Sequence, residues 1–308
     1  MIPGLMSSAT PPLTTASPDL ATDPALRVVT ADAKRGQAGF GGYLRHLRWL
    51  AEHAPLVRML ARVQLRLTVR RSRLYYLWWL LDPVLDTALY AVLFLVIRAS
   101  ASGTSEVPLI AFLLAGIIPW RLTFGCWNAA GNVWATNRPL IEQLNFPHLV
   151  LLLSRFLTEA WLYLFALMIL VVTCLFVGVG PAWWWLALPL WVLVHALTII
   201  AFMPLIALVT AFSQDLLKLM PYALRLLFFG SPILYALEQL PEAIRPWVYL
   251  NPLTMLIETY RGLLLYGVAP SALSVLSYVA AMFGVLLVSS YLFVRFGSAM
   301  SRSVSRMY

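Results

Sequence analysis

Apolar residues in this chain gather into runs about as long as a membrane is thick, separated by short polar or proline-rich breaks. Six runs predict six spans, at 78–97, 108–131, 149–177, 182–212, 219–237 and 271–294. Each approaches the roughly 20 residues a helix needs to cross about 30 Å of hydrocarbon. A transmembrane strand would be about half as long and would alternate apolar with polar positions. These runs do not alternate, so the predicted fold class is all-α, a polytopic membrane protein with six transmembrane helices. The fourth run contains Pro189 and Pro204, and the fifth is interrupted by Gly230 and Pro232.

Two further segments carry a pattern of their own. Between 55 and 73, Arg58, Arg62, Arg66 and Arg70 recur every four residues and share one helical face, beside an apolar face of Leu56, Leu60, Val63, Leu67 and Leu74. This predicts an amphipathic helix lying in the membrane interface with its cations at anionic headgroups; a helix packed on a partner protein would show the same spacing. Between 238 and 267 the chain is moderately apolar. Asn251 followed by Pro252 predicts a helix start, and Gly267 its stop. A helix of about 15 residues spans only about 22 Å. It and a shorter helix near 240–250 are predicted to enter and leave one leaflet as a gate, since irregular backbone at that depth must be buried in protein or line a cavity.

Composition sharpens the assignment. The chain is 61% hydrophobic and 11% charged, with a mean hydropathy of +0.81, far from a soluble domain. Of 22 Lys and Arg, 11 precede residue 78, which the positive-inside rule reads as a cytoplasmic N-terminal region. Arg295, Arg302 and Arg306 after the last span predict a cytoplasmic C-terminus too. The net charge of +9 is therefore assigned to topology, with no nucleic-acid partner expected. Trp183, Trp184 and Trp185 fit an aromatic belt at the outer end of the fourth span. Residues 1–40, rich in Pro, Ala, Thr, Ser and Gly, read as a disordered cytoplasmic tail without the basic region of a signal peptide. The predicted organisation is this tail, an interface-helix region at 41–77, a permease domain at 78–296 and a C-terminal tail at 297–308.

Catalytic chemistry is not predicted. Lys34 and Lys218 are the two lysines, and neither follows a glycine, so no phosphate-cradling GxxxxGK[ST] loop exists. No HExxH or GxSxG occurs, and no catalytic, cofactor or metal residues are assigned. Cys126 and Cys174 read as small buried hydrophobes, and His195 as a packed, satisfied histidine. Asp82 and Asp86, with Tyr90 on the same face, form either a polar stripe toward a wet cavity or a pair near the headgroups. Arg155 and Glu159 are spaced to pair with each other. Trp120, Phe124, Trp127, Gly131 and Trp134 share one face of the second span. They suit either stacking on sugar rings or helix packing.

Three stretches then read together: 65–83 (LRLTVRRSRLYYLWWLLDP), 115–147 (AGIIPWRLTF…NRPLIEQLNFP) and 231–267 (SPILYALEQLPEAIRPWVYLNPLTMLIETYRGLLLYG). Their order and spacing resemble the permeases of the ABC type-2 exporter family, most closely the branch exporting O-antigen, teichoic acid and capsule. The resemblance spans 55–296. It implies a homodimer in the bacterial plasma membrane, two copies of a separate ATPase holding ATP and magnesium, and a lipid-linked polysaccharide as cargo. A cell-wall galactan is one such cargo. It also implies ATPase coupling through Arg58, Arg62 and Arg66 of the interface helix and through Arg138, Glu142, Gln143, Asn145, Phe146 and Pro147 of a coupling helix at 137–147. Asp82, Asp86, Tyr90, Trp120, Phe124 and Trp127 would line the channel. Pro241, Trp247, Asn251, Pro252 and Tyr260 would build the outer gate. The chain departs from the family at Glu142 and Gln143, where many relatives carry two lysines, and in its long N-terminal tail. A drug or lipid exporter of the same family, or an ion-coupled carrier using Asp82 and Asp86, are the alternative readings.

Overall fold

In hydrocarbon each backbone N–H and C=O must be satisfied internally, so long apolar runs fold as helices. The computed structural model describes residues 40–70, 108–137 and 148–307, together with positions 81, 85, 88–90 and 92. The helices are α1 Phe40–Glu52, α2 Ala54–Arg70, α3 Leu109–Gly131, α4 Val133–Thr136, α5 His148–Phe176, α6 Leu188–Thr210, α7 Gln214–Phe229, α8 Arg245–Tyr249, α9 Pro252–Arg261 and α10 Ala272–Met307. Short 3-10 turns cover Trp183–Ala187 and Leu237–Gln239, and a π-helical turn covers Gly262–Tyr266. No strand occurs among the described residues.

Four stretches are long and apolar enough to cross a membrane: Leu109–Gly131, His148–Phe176, Trp183–Thr210 and Ala272–Gly297. They correspond to the second, third, fourth and sixth predicted spans. The first predicted span lies outside the described residues except for the six positions above, of which Leu85, Leu89 and Val92 are exposed. The fifth is shorter than predicted. Helix α7 has 16 residues and stops at Phe229, about 24 Å of rise. Gly230 and Pro232 follow, and the chain turns there instead of continuing to 237. Helix α10 runs on to Met307, so residues 297–307 of the predicted tail continue its helix beyond the apolar stretch that ends at Gly297.

Helix α3 is the centre of the bundle, packed on α5, α6, α7 and α9. Helices α6 and α10 pack along each other, and hydroxyls stitch them: Thr198 Oγ1 lies 2.9 Å from the Tyr278 hydroxyl, and Ser289 Oγ donates to the Ala201 carbonyl at 2.6 Å. Such interhelical bonds hold apolar helices together where water-driven burial is absent. The outer face of α5 points away from the bundle and is apolar: Trp161, Leu164, Phe165, Met168 and Phe176 are exposed, the last by 86%. That surface is suited to acyl chains.

Helix α1 has no counterpart among the predicted elements. Its Tyr43 is buried, with the hydroxyl 2.6 Å from Ser290 Oγ and the ring edge-on to Tyr291. Helix α2 docks along the N-terminal half of α5. Gln64 Nε2 donates to Ser154 Oγ at 3.3 Å, and Thr158 Oγ1 lies 3.4 Å from the Ala61 carbonyl. The docked face carries Val57 and Ala61, one step round from the predicted apolar face; Val63 on that predicted face is exposed. The neighbouring α5 presents small polar groups, so small residues and Gln64 make the closer fit. Arg58, Arg62 and Arg66 are exposed on the other side.

The short-helix segment covers the N-terminal ends of α3, α6 and α10. Asn251 Oδ1 accepts from the Leu253 amide at 3.0 Å, Pro252 opens α9, and Gly267 closes the segment at φ 63°. These are the predicted start and stop. Between them α9 gives way to the π turn after Arg261. The shorter helix predicted near 240–250 is reduced to the five residues of α8.

Candidate functional site

A cavity of ≈ 670 Å³ opens between α3, α5 and α7, with Tyr90 from the first predicted span on its wall. Its aromatic side is built from Tyr90, Trp120, Phe124, Phe228 and Phe229. Trp120 sits between Phe124 and Phe228, with ring centroids 6.1 and 5.5 Å away, and Phe228 lies 5.3 Å from Tyr90. Its charged side is built from Arg121 on α3, Arg155 and Glu159 on α5, and Arg225 on α7. Arg155 Nη2 lies 3.0 Å from Glu159 Oε1, the predicted pair. Arg121 lies within electrostatic reach of the same carboxylate. Charged side chains in apolar helices face a cavity or each other, because lipid does not solvate them. Lone arginines inside predicted spans were the signal that could have marked Arg121 and Arg225 from sequence.

The predicted aromatic stripe divides. Its five members spread over about 80° of the α3 circumference. Phe124 stands at the cavity edge and is 38% exposed, while Trp127 and Trp134 stand at the opposite edge and are buried against α6. The Trp127 indole donates to the Ile199 carbonyl at 3.2 Å, and that of Trp134 to the Ala207 carbonyl at 2.7 Å. Trp127 therefore packs helices and does not line the cavity, whereas Tyr90, Trp120 and Phe124 do. Asp82 and Asp86 lie outside the described residues. So do Arg138, Glu142, Gln143, Asn145, Phe146 and Pro147 of the predicted coupling helix.

From the cavity wall a buried polar chain leads into the short-helix segment. The Tyr163 hydroxyl donates to the Tyr260 hydroxyl at 2.9 Å; Tyr260 lies 3.3 Å from His195 Nδ1, and His195 Nε2 lies 2.9 Å from Thr123 Oγ1. Four elements, α5, α9, α6 and α3, are joined through one line of hydrogen bonds. His195 is fully enclosed and has partners at both ring nitrogens, as a packed histidine should.

Arg261, at the end of α9, is completely buried. Its Nη1 donates to the carbonyls of Pro232 at 2.5 Å and Tyr235 at 3.2 Å and to Glu258 Oε1 at 3.2 Å. Its Nη2 donates to the Ile233 carbonyl at 2.7 Å, and the guanidinium lies 3.5 Å from the centre of the Phe112 ring. The fork of an arginine matches this set of acceptors, and the aromatic face adds to it. Asn251 closes the same joint, donating to Ser231 Oγ at 2.8 Å. The turn after α7 is thereby fixed to both ends of α9. Burial pulls the Arg261 guanidinium down to about 10, so it remains charged at neutral pH. Burial also lifts the Glu258 carboxyl above the usual carboxylate range, with Arg261 opposing the shift. Of the other predicted gate residues, Tyr260 is fully buried in the polar chain, Asn251 and Pro252 form the start of α9, and Pro241 and Trp247 are exposed, Trp247 by 74%. No group of three or more potential metal-ligating side chains gathers among the described residues.

Comparison with known proteins falls on this same framework. Residues 55–265 match the family described as ABC-2 type transporter, from the start of α2 into the π turn after α9. The chain is 25% identical over 252 residues to an O-antigen export system permease protein of Myxococcus xanthus, covering 81% of this chain and 95% of that one. Two O-antigen export system permease proteins of Klebsiella pneumoniae are 26% and 25% identical over 206 residues, 66% of this chain and 77% and 78% of theirs. With a bundle of apolar helices, a charged cavity between them and a family match over more than half its length, the chain belongs to the ABC-2 type transporters, as a membrane-embedded transport subunit.

Proposed function

We propose that this chain is the permease of an exporter that carries a lipid-linked polysaccharide outward across the bacterial plasma membrane. It works as a homodimer, and a separate ATPase docked on the cytoplasmic side supplies the energy. Both termini are cytoplasmic, and the short-helix segment faces outward as a gate. The similarity to O-antigen export permeases, over nearly the whole length of one of them, carries this reading. Three features support it. The sequence has no GxxxxGK[ST] phosphate-binding loop, which fits ATP hydrolysis by a separate subunit. The exposed arginines of α2 suit the cytoplasmic headgroup layer or an acidic docking surface. The aromatic wall of the cavity offers ring faces on which sugars stack weakly, and a polymer passes more easily over many weak contacts than through one tight site.

The reading is tested by depleting the protein in its native host. Lipid-linked polysaccharide should accumulate on the inner side while the surface polysaccharide falls. Undiminished surface polysaccharide after depletion would overturn it. Cargo composition is addressed by the same experiment, because the accumulated glycan can be analysed directly.

A further inference from the structure

The short-helix segment divides into two parts that are held in opposite ways. Helix α9 and the π turn after it are fastened to the bundle. Seven of the ten α9 residues are buried. The Trp191 indole of α6 donates to the Leu256 carbonyl at 3.2 Å, and the Tyr278 hydroxyl of α10 donates to the Pro252 carbonyl at 3.0 Å. The Trp185 indole donates to the Leu264 carbonyl at 3.2 Å, and Tyr163 of α5 meets Tyr260. Moving α9 would strip these buried groups of their partners together, so the set resists displacement.

Residues 237–250 are held by themselves. Leu237 is their one buried side chain, while Ile244, Trp247, Tyr249 and Leu250 are exposed, Leu250 by 80%. Arg245, at the start of α8, turns back on its own loop: Nε donates to the Leu240 carbonyl at 3.0 Å and Nη2 to the Glu238 carbonyl at 2.9 Å. The amides of Leu240, Ile244 and Trp247 also bond inside the stretch, to the carbonyls of Leu237, Pro241 and Ile244. A side-chain bond crosses to α9 from Thr254 Oγ1 to the Val248 carbonyl, at 2.6 Å. Surface loops of this length that pack on their own side chains form compact units. Both ends of this one attach to the turn after α7. Before it, the Tyr235 carbonyl accepts from Arg261 at 3.2 Å; after it, Asn251 donates to Ser231 Oγ at 2.8 Å. The junction residues are extended, Ala236 at φ −92° and ψ 143° and Asn251 at φ −76° and ψ 118°. Element-terminal residues of this kind absorb a hinge rotation without breaking a helix.

We propose that 237–250 is the lid of the outer end, turning on Ala236 and Asn251, and that α9 is the fixed seat on which it closes. The inference rests on the outward gate proposed above and names the part of it that moves. A moving element is drawn from the low-stability end of a structure, and its support from the well-bonded end. The loop and α9 meet these two conditions side by side. The Thr254–Val248 bond is the catch between them.

Hydrogen–deuterium exchange of the full-length chain in phosphatidylcholine nanodiscs reads the two parts separately. Amides of 238–250 should exchange at least about a hundredfold faster than those of 253–264, because local opening frees only the former. Arg245→Gln should speed exchange within 238–250 and leave 253–264 unchanged. Trp191→Phe, which removes one indole donor, should speed exchange in 253–264 about tenfold. A lock then tests the use of the lid. Val248→Cys with Thr254→Cys, joined by copper-phenanthroline oxidation and confirmed by mass spectrometry, should stop delivery of polysaccharide to the cell surface, and a reducing agent should restore it. Equal exchange in the two parts would overturn the lid. So would export unaffected by the closed disulfide in a host where depletion traps polysaccharide. Exchange is read without cargo, so it judges the lid independently of whether depletion refutes the export function.

Discussion

Arg261 offers the sharpest test of how the short-helix segment is held, because two explanations of its burial predict different mutants. If Glu258 is what holds the cation, removing either partner should cost about the same. If the carbonyls hold it, the arginine should matter far more. Of its four acceptors three are backbone carbonyls, from Pro232, Ile233 and Tyr235, and one is Glu258. Arg261→Met keeps the apolar stem but leaves those carbonyls without donors in a sealed site and removes the stacking on Phe112. Hydrogen bonds from a charged donor contribute about 1.5–3 kcal/mol each, and breaking a buried ionic cluster typically costs about 3–5 kcal/mol after the surroundings relax. The expected loss is about 3–5 kcal/mol. Glu258→Gln takes the charge from one contact of four and keeps an acceptor oxygen there. That carboxyl already sits above the usual carboxylate range because burial disfavours its charge, so a neutral amide there should cost only about 1 kcal/mol. In a chain of this size 1 kcal/mol corresponds to about 2–4 °C. Thermal melts of the purified chain in nanodiscs, read by tryptophan fluorescence, should show a fall of about 10 °C for Arg261→Met and about 2–4 °C for Glu258→Gln. Equal falls would refute the carbonyl clamp. Gly116 gives an independent reading: a Cβ there would stand 3.0 Å from the Ile233 carbonyl and 3.2 Å from Arg261 Nη2, so Gly116→Ala should loosen the same joint.

Other substitutions separate packing from transport. Tyr260→Phe removes the hydroxyl that accepts from Tyr163 and meets His195; it should lower stability by about 2 kcal/mol, measured by the same melt. Trp127→Ala opens a hole beside α6 and strips the Ile199 carbonyl of its donor, so about 3–5 kcal/mol of stability should be lost. Phe124→Ala, at the exposed cavity edge, should leave the melt almost unchanged while slowing export of surface polysaccharide in cells. Asn251→Ala removes the α9 cap and the bond to Ser231 and should cost about 1–2 kcal/mol.

Local rules made much of this legible. The Asn251-Pro252 start and the Gly267 stop depend on neighbours within a few residues, so the sequence states them directly, and α9 begins and the segment closes where it should. The long spans followed from apolar length alone. Placement around a helix was only half visible. Periodicity grouped Phe124 with Trp127, but which neighbour each edge of the stripe would meet depends on where α6 and α7 sit. The same limit hid the docked face of α2, where Ala61 rather than Leu60 meets α5 because α5 offers Ser154 and Thr158 at the contact. In the sequence Arg261 is one more charge inside a short predicted helix. Its role depends on carbonyls 26 to 29 residues earlier in the chain, brought within reach by a turn whose shape no pattern of side chains reports. Arg121 and Arg225 carried a signal, a charge inside an apolar run, but only the fold brings them to one cavity with Arg155.

Thr158 belongs to two places at once. On one side it meets the backbone of α2 at Ala61; on the other it forms part of the cavity wall, next in sequence to Glu159. Any displacement of α2 therefore arrives beside the cavity carboxylate with no intervening gear. A bulky residue at position 61 would act as a wedge, changing the cavity from outside without entering it.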